Sequence, residues 1–284
     1  MSGICMMSQM REHRAPVKWN KKFIYPKSQR SLIQGKRHYD INTTKLPSVT
    51  TIISATQSEE KRQSLAKWKA RLGDTAADRV RDIAALRGTA MHTFLEAYIR
   101  GTGHRDLTSV GREAEPMAQK IINEGLSGLD EIWGSEVVLY YPELYAGATD
   151  VVGIYNGQES IIDFKQTNKP KRREWIDDYF IQLGAYAMAH NFIYETKIQS
   201  GIILMCSKDH LFQKFEARKL AINCNCTLVY SYFNKIKKFF LFIFKSGYNW
   251  YKSYYCCIPT LIRSKLYLLT GYNWIQKIQF ENEH

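Results

Sequence analysis

The stretch Gly147-Ala-Thr-Asp150-Val-Val-Gly-Ile-Tyr155-Asn-Gly157-Gln-Glu-Ser160-Ile-Ile-Asp163-Phe-Lys165 decides the fold. Two strand-like runs, Gly147 to Tyr155 and Ser160 to Phe164, flank Asn156-Gly157, a dipeptide suited to a tight hairpin because both residues tolerate positive φ. The first run therefore folds back beside the second. Side chains alternate along a strand, so Asp163 and Lys165 share a face with Ile161, and Phe164 takes the other. The hairpin brings Asp150 toward that pair, and two carboxylates and an ammonium can converge at one place on a sheet.

Outward from the hairpin, Val137 to Tyr141 reads as a preceding strand, joined through the turn Pro142-Glu143-Leu144. Downstream, Arg173 to about Asn191 reads as a helix, followed by strands near Gly201 to Cys206 and Leu211 to Glu216. Upstream the period is helical. Ser58 followed by Glu59 and Glu60 opens a helix that runs to Leu72 and stops at Gly73. Asp74 caps the next, with Val80, Ile83 and Leu86 at helical spacing, and Gly88 is expected to interrupt it. Thr89 to Arg100 then turns Met91, Phe94, Leu95 and Tyr98 inward and ends at Gly101. Glu113 to Glu124 forms a further helix closed by Gly125. Helices, strands, a helix and strands again predict an α/β (α+β) domain with a central mixed sheet flanked by helices.

Two acids and a lysine at one point suit phosphodiester hydrolysis. Carboxylates hold Mg²⁺ through oxygen at about 2.0–2.1 Å with positions left open for water and phosphate. The ion lowers the pKa of its water and neutralises developing charge, and a lysine can orient the water or offset phosphate charge. Asp-x-Lys on its own is usually an ordinary surface ion pair; Asp150 at hairpin distance moves the balance. On the later helix, Gln182 and Tyr186 share a face by their spacing of four. There they can grip a DNA phosphate or sugar, or simply form part of an amphipathic helix. His92 and Glu96 share a face in the same way. That pair is more often a surface ion pair than a metal site, and imidazole favours Mn²⁺ or Zn²⁺ over Mg²⁺.

Taken in order, Gly88…His92, Gly147-x-x-Asp150, Asp163-x-Lys165 and Gln182-x-x-x-Tyr186 resemble the RecB-like branch of the PD-(D/E)XK nucleases. Within it, the chain is similar to the mitochondrial genome maintenance exonuclease group and its phage-encoded relatives. The resemblance extends through Leu46-Pro-Ser-Val-Thr50, Trp68-Lys-Ala-Arg71, Asp163-Phe-Lys-Gln-Thr-Asn-Lys-Pro-Lys171 and Lys208-Asp209, and covers roughly Leu46 to Glu216. It implies a restriction-endonuclease-like fold and a metal-dependent exonuclease acting on single-stranded DNA from a free end, in replication, repair or recombination. Carried over, His92, Asp150, Asp163 and the backbone carbonyl of Phe164 would be metal ligands, with Mg²⁺ or Mn²⁺ bound. Lys165 would activate or orient water, Gln182 and Tyr186 would support the site and hold DNA, and Ser48 and Thr50 would lie near the DNA entrance. The resemblance implies a monomer.

The 284 residues suffice for one ordinary domain with extensions. Apolar residues make up 45% and charged residues 24%, as in soluble globular proteins, while the net charge of +13 predicts attraction to polyanions. The expected division is a basic, loosely ordered lead-in over 1–44 with a short strand at His38 to Ile41, the nuclease domain over 45–217, and an atypical tail over 218–284. From Ala217 to Phe280 there is no Asp or Glu, while Lys, Tyr, Phe, Ile and Cys crowd together. No stretch reaches the roughly 20 apolar residues of a membrane span, so no membrane partner is expected. The N-terminus lacks a signal-peptide core, and its amphipathic pattern is poor for a transit peptide. The expected compartment is the cytoplasm of a bacterium or phage-infected cell, with the mitochondrial matrix as alternative. Six cysteines then read as thiols or metal ligands. One alternative function is an iron–sulfur RecB-like nuclease using Cys5, Cys224, Cys226, Cys256 and Cys257, although their spacings are not those of usual clusters. Another is a non-catalytic DNA-binding relic with a degenerate C-terminus.

Overall fold

A computed structural model describes residues 17–218 and Leu220. In chain order the strands are β1 (Lys18–Trp19), β2 (Gln29–Ile33), β3 (Lys36–Ile41), β4 (Thr44–Pro47), β5 (Leu129–Tyr141), β6 (Tyr145–Tyr155), β7 (Gln158–Thr167), β8 (Ser200–Ser207) and β9 (Phe212–Ala217). The helices are α1 (Val49–Ala55), α2 (Glu59–Leu72), α3 (Asp74–Ile99), α4 (Ser109–Glu124) and α5 (Asp177–Tyr194).

Six strands form a mixed sheet in the order β1-β5-β6-β7-β8-β9, with β1 parallel to β5, β7 parallel to β8, and the other neighbours antiparallel. Helices cover both faces. On one side α1 and α5 bury Val49, Ile52, Phe180, Leu183 and Tyr186 against Leu139, Val152 and Ile161. On the other, α3 and α4 bury Met91, Leu95, Met117 and Ile121 against Ile132, Val151, Ile162 and Phe164. Removing this apolar surface from water is the main stabilising term. The expected sheet flanked by helices is therefore the one observed.

Local chemistry explains most boundaries. Ser58 caps α2 by accepting from the Lys61 amide, Glu59 and Glu60 sit in its first turn, and Gly73 follows its end at φ +83°. The Asn156-Gly157 turn joins β6 to β7 with φ values of +46° and +73°. Among the described residues, no helix is long and apolar enough to cross a membrane.

Four expectations are corrected. Residues 17–44 are not a loose lead-in: β2, β3 and β4 form an antiparallel sheet, and β1 joins the main one. The small sheet owes its order to a distant partner, since Tyr39, Ile41 and Leu46 bury against Ala146 of β6. Gly88 does not break α3, which is continuous; a Cβ there would lie at ordinary contact distance, 3.4 Å, from Gln166 Cγ. Burial of Met91, Phe94 and Leu95 on the same helix outweighs glycine's helix cost of about 1 kcal/mol. Tyr98, Val80, Ile83 and Leu86 are exposed although their spacing suits an apolar face. The domain also reaches beyond 217, because Leu220 is buried over Gly201. The rest of the expected tail, and Cys5, Cys224, Cys226, Cys256 and Cys257, lie outside the described residues.

Candidate active site

The site lies where β6 and β7 part. Their ladder runs from Tyr155↔Gln158 to Val151↔Ile162 and stops there, one residue short of Asp150 and Asp163. Beyond that point β7 stays paired with β8 up to Thr167↔Ser207, while β6 stays paired with β5. The fork leaves the two carboxylates unpaired with each other across β6 and β7. In place of a ladder bond, the Phe164 amide donates to Asp150 Oδ2 at 2.6 Å.

Into this fork α3 delivers His92, whose Nδ1 lies 3.3 Å from Asp150 Oδ1 and 3.9 Å from Glu136 Oε1. The His92 ring also meets the Phe164 ring edge-on. Lys165 forms an ion pair with Asp163, and its ammonium lies 5.2 Å from the centre of the Tyr179 ring on α5. Asp163 is 3% exposed, and the Lys165 ammonium meets its buried Oδ2. The structure thus brings together His92, Asp150, Asp163, Phe164 and Lys165.

The electrostatics are those of a crowded, mostly buried set of opposite charges. Burial alone would depress the His92 imidazole, but the Asp150 charge and the hydrogen bonds to Asp150 and Glu136 raise it to about 10. Burial pushes the Asp163 carboxyl up to about 6, with Lys165 opposing the shift and Asp150 adding to it. Burial opposes ionisation of Asp150 as well, yet His92, Lys165 and the Phe164 amide hold it below the usual carboxylate range. Burial likewise disfavours the Lys165 ammonium, but Asp163 and Asp150 keep it above its ordinary value. Lys165 is therefore charged at neutral pH, which suits a group that orients water and offsets phosphate charge better than one that accepts a proton.

Gln182 and Tyr186 sit on one face of α5, and Gln182 Nε2 donates to Tyr186 Oη at 3.1 Å. Tyr186 is only 3% exposed and lies over Gly147, where a Cβ would come within 2.6 Å of the ring. Its phenol faces the protein interior, so the half-buried Gln182 is the member of the pair with access to solvent. Ser48 is also buried: it caps α1 by accepting from the Thr51 amide at 3.0 Å, whereas Thr50 is exposed. Glu96 pairs with Arg100 at 2.6 Å, an ordinary helix-surface contact.

Two residues escaped the sequence reading. Glu136 of β5 stands opposite Asp150, between the pairs Ser135↔Val151 and Val137↔Thr149, with φ +54°. A lone acid in the run Ile132 to Tyr141 of β5 was the available signal. Arg87, 2% exposed, donates to Gln166 Oε1 and Glu113 Oε2 at 3.0 Å each and also bonds Asn168. It fastens the end of β7, just past Lys165, to the helix that carries His92. His92, Glu136 and Asp150 each offer an atom within 4.8 Å of the others, a spacing that a single cation can span.

No family model matches the chain. In sequence it is 30% identical to mitochondrial genome maintenance exonuclease 1 of Mus musculus over 195 residues, 62% of this chain and 56% of that protein. It is 28% identical to the protein of the same name from Xenopus tropicalis over 187 residues, 61% of this chain and 51% of that one. The human protein of that name is 28% identical over 176 residues, 58% of this chain and 50% of its own length. The chain thus spans about half the length of the curated relatives it matches. A solved protein from Eubacterium rectale that carries an exonuclease name is 15% identical, covering 55% of this chain and 65% of its own, at a TM-score of 0.40, too low to support an argument. The chain is similar to the mitochondrial genome maintenance exonuclease 1 proteins over about three fifths of its length, and its fold is a mixed α/β one with a central mixed sheet flanked by helices.

Proposed function

We propose that the protein is a divalent-metal-dependent nuclease that degrades single-stranded DNA from free ends. The observation that carries this reading is the convergence of His92, Asp150, Asp163 and Lys165 in the fork between β6 and β7. The donor set fits a cation. Two mostly buried carboxylates, Asp150 and Asp163, crowd together beside His92, and buried charges are costly unless they are paired or meet an ion. His92, Asp150, Asp163 and the Phe164 carbonyl would hold Mg²⁺, or Mn²⁺, which imidazole suits better. Such an ion supplies a water of lowered pKa and neutralises charge on the phosphate. Lys165 orients the attacking water and faces the phosphate with a fixed positive charge. Gln182 meets the DNA, Tyr186 holds Gln182 in place, and Ser48 shapes the turn that presents Thr50.

The need for an end is supported by the path of α2. It links α1, on one face of the sheet, to α3, on the other, and so must pass around the sheet's rim. None of its residues is buried. Lys61 at its start pairs with Asp178, next to Tyr179, whose ring lies against Lys165. Lys61, Arg62, Lys67, Lys69, Arg71 and Trp68 make this helix basic with an aromatic, as a single strand requires. The protein acts as a monomer without a membrane partner. It works in DNA replication, repair or recombination, in a bacterial or phage-infected cytoplasm; the names of its relatives bring the mitochondrial matrix forward as the alternative compartment.

The test is degradation of an end-labelled single-stranded oligonucleotide with Mg²⁺ or Mn²⁺ by wild type and Lys165→Ala. The variant is expected to lose about 100-fold or more in rate, the scale set by removing one preorganised charge or donor from a reacting phosphate. Binding of the uncut strand should change little, because one positive charge among many is removed. Equal degradation by both proteins refutes the assignment.

A further inference from the structure

We infer that Glu136 is a cation ligand, completing with His92 and Asp150 a cation-binding set of one imidazole and two carboxylates. The inference rests on the nuclease reading for what the ion does, and on geometry for its being there.

The placement is specific. Glu136 and Asp150 stand opposite each other on β5 and β6, the row that continues into Asp163 on β7. Strand alternation reverses on this row. Tyr145 of β6 buries on the α5 side, whereas Val151, six residues on and of the same parity, buries on the α3 and α4 side. On β5 the left-handed backbone of Glu136 falls at the matching position. The reversal turns Glu136 toward the helix that carries His92, so its carboxylate comes to 3.9 Å from His92 Nδ1 instead of pointing along the sheet surface.

The oxygens are already divided. Asp150 Oδ2 is taken by the Phe164 amide, leaving Oδ1 to face His92. Lys165 pairs with Asp163 Oδ2, outside the cluster formed by His92, Glu136 and Asp150. Asp163 is not part of the cluster whose donor atoms lie within 4.8 Å of one another; Glu136 is. Ligands at about 2.0–2.2 Å from one ion lie roughly 3 Å apart when adjacent and somewhat over 4 Å when opposed, the range seen here. One imidazole nitrogen with two carboxylates selects a borderline transition ion, so Mn²⁺ is favoured over Mg²⁺.

The experiment measures Mn²⁺ binding to the DNA-free full-length protein, by the electron paramagnetic resonance signal of free Mn²⁺. Glu136→Gln keeps the shape and removes the charge, and is expected to weaken Mn²⁺ by about tenfold or more. Glu136→Gly is the second variant. Glycine adopts φ +54° without strain, so it removes the carboxylate while retaining the fold. It should lose the same affinity with an undiminished melting temperature. Mn²⁺ binding by both variants that matches wild type, while Asp150→Asn abolishes it, overturns the role of Glu136 and leaves the nuclease reading intact. Wild type that binds no Mn²⁺ overturns the inference, and the nuclease reading falls with it only if DNA degradation is also absent.

Discussion

The Phe164 amide hydrogen-bonds Asp150 across the gap where β6 and β7 have stopped pairing. One bond does two things. It satisfies a backbone donor that lost its ladder partner, and it fixes the carboxylate so that its other oxygen faces His92. The residue between Asp163 and Lys165 therefore contributes through its backbone, while its ring packs with Ile162 and Val151 on the α3 and α4 side.

The glycine of the Gly147-x-x-Asp150 motif is explained by Tyr186. A Cβ at Gly147 would come within 2.6–2.7 Å of Tyr186 Cε1 and Oη, and a buried ring has little room to retreat. Gly147→Ala is expected to cost about 1–3 kcal/mol, the usual range for overpacking a filled core. It should also lower activity, by displacing the Gln182–Tyr186 pair. Urea unfolding measures the first effect; an unchanged midpoint would mean that the ring moves aside freely.

Stability should fall in mild acid because of His190. Its ring is fully buried, shares hydrogen bonds with Tyr25 at Nε2 and Thr196 at Nδ1, and stacks on Trp133. Burial, with Lys22 nearby, depresses its pKa from 6.5 to about 4. Below pH 6.5 the unfolded chain takes up a proton that the folded chain refuses, so stability drops until about pH 4, where the folded form is protonated too. The loss over that window is on the order of 3 kcal/mol. Denaturant midpoints at a series of pH values should fall less steeply for His190→Gln than for wild type. Parallel slopes would assign the acid sensitivity to other groups.

Much of this site was legible because its cues are local. Asn156-Gly157 sets the hairpin, alternation sets the shared face of Asp163 and Lys165, and Ser58 with Gly73 bounds α2. What failed was set by distant partners. The order of Gln29 to Pro47 depends on Ala146, about a hundred residues away, and α3 passes through Gly88 because the helix buries Met91, Phe94 and Leu95 against the sheet. Tyr186 and Ser48 carry polar groups that suit DNA contact on paper, but each spends them inside the protein. Glu136 was missed for a different reason. Its left-handed backbone breaks the period-2 rule by which strand residues are assigned to a face.

The most direct test compares linear and circular single-stranded DNA of the same sequence, incubated with the protein and Mg²⁺ or Mn²⁺. We expect the linear strand to be degraded and the circle to stay intact, with the degradation absent after chelation and in Asp163→Ala. Cutting of the circle at a comparable rate would contradict a nuclease that requires ends, and degradation that survives chelation would contradict the metal-dependent site itself.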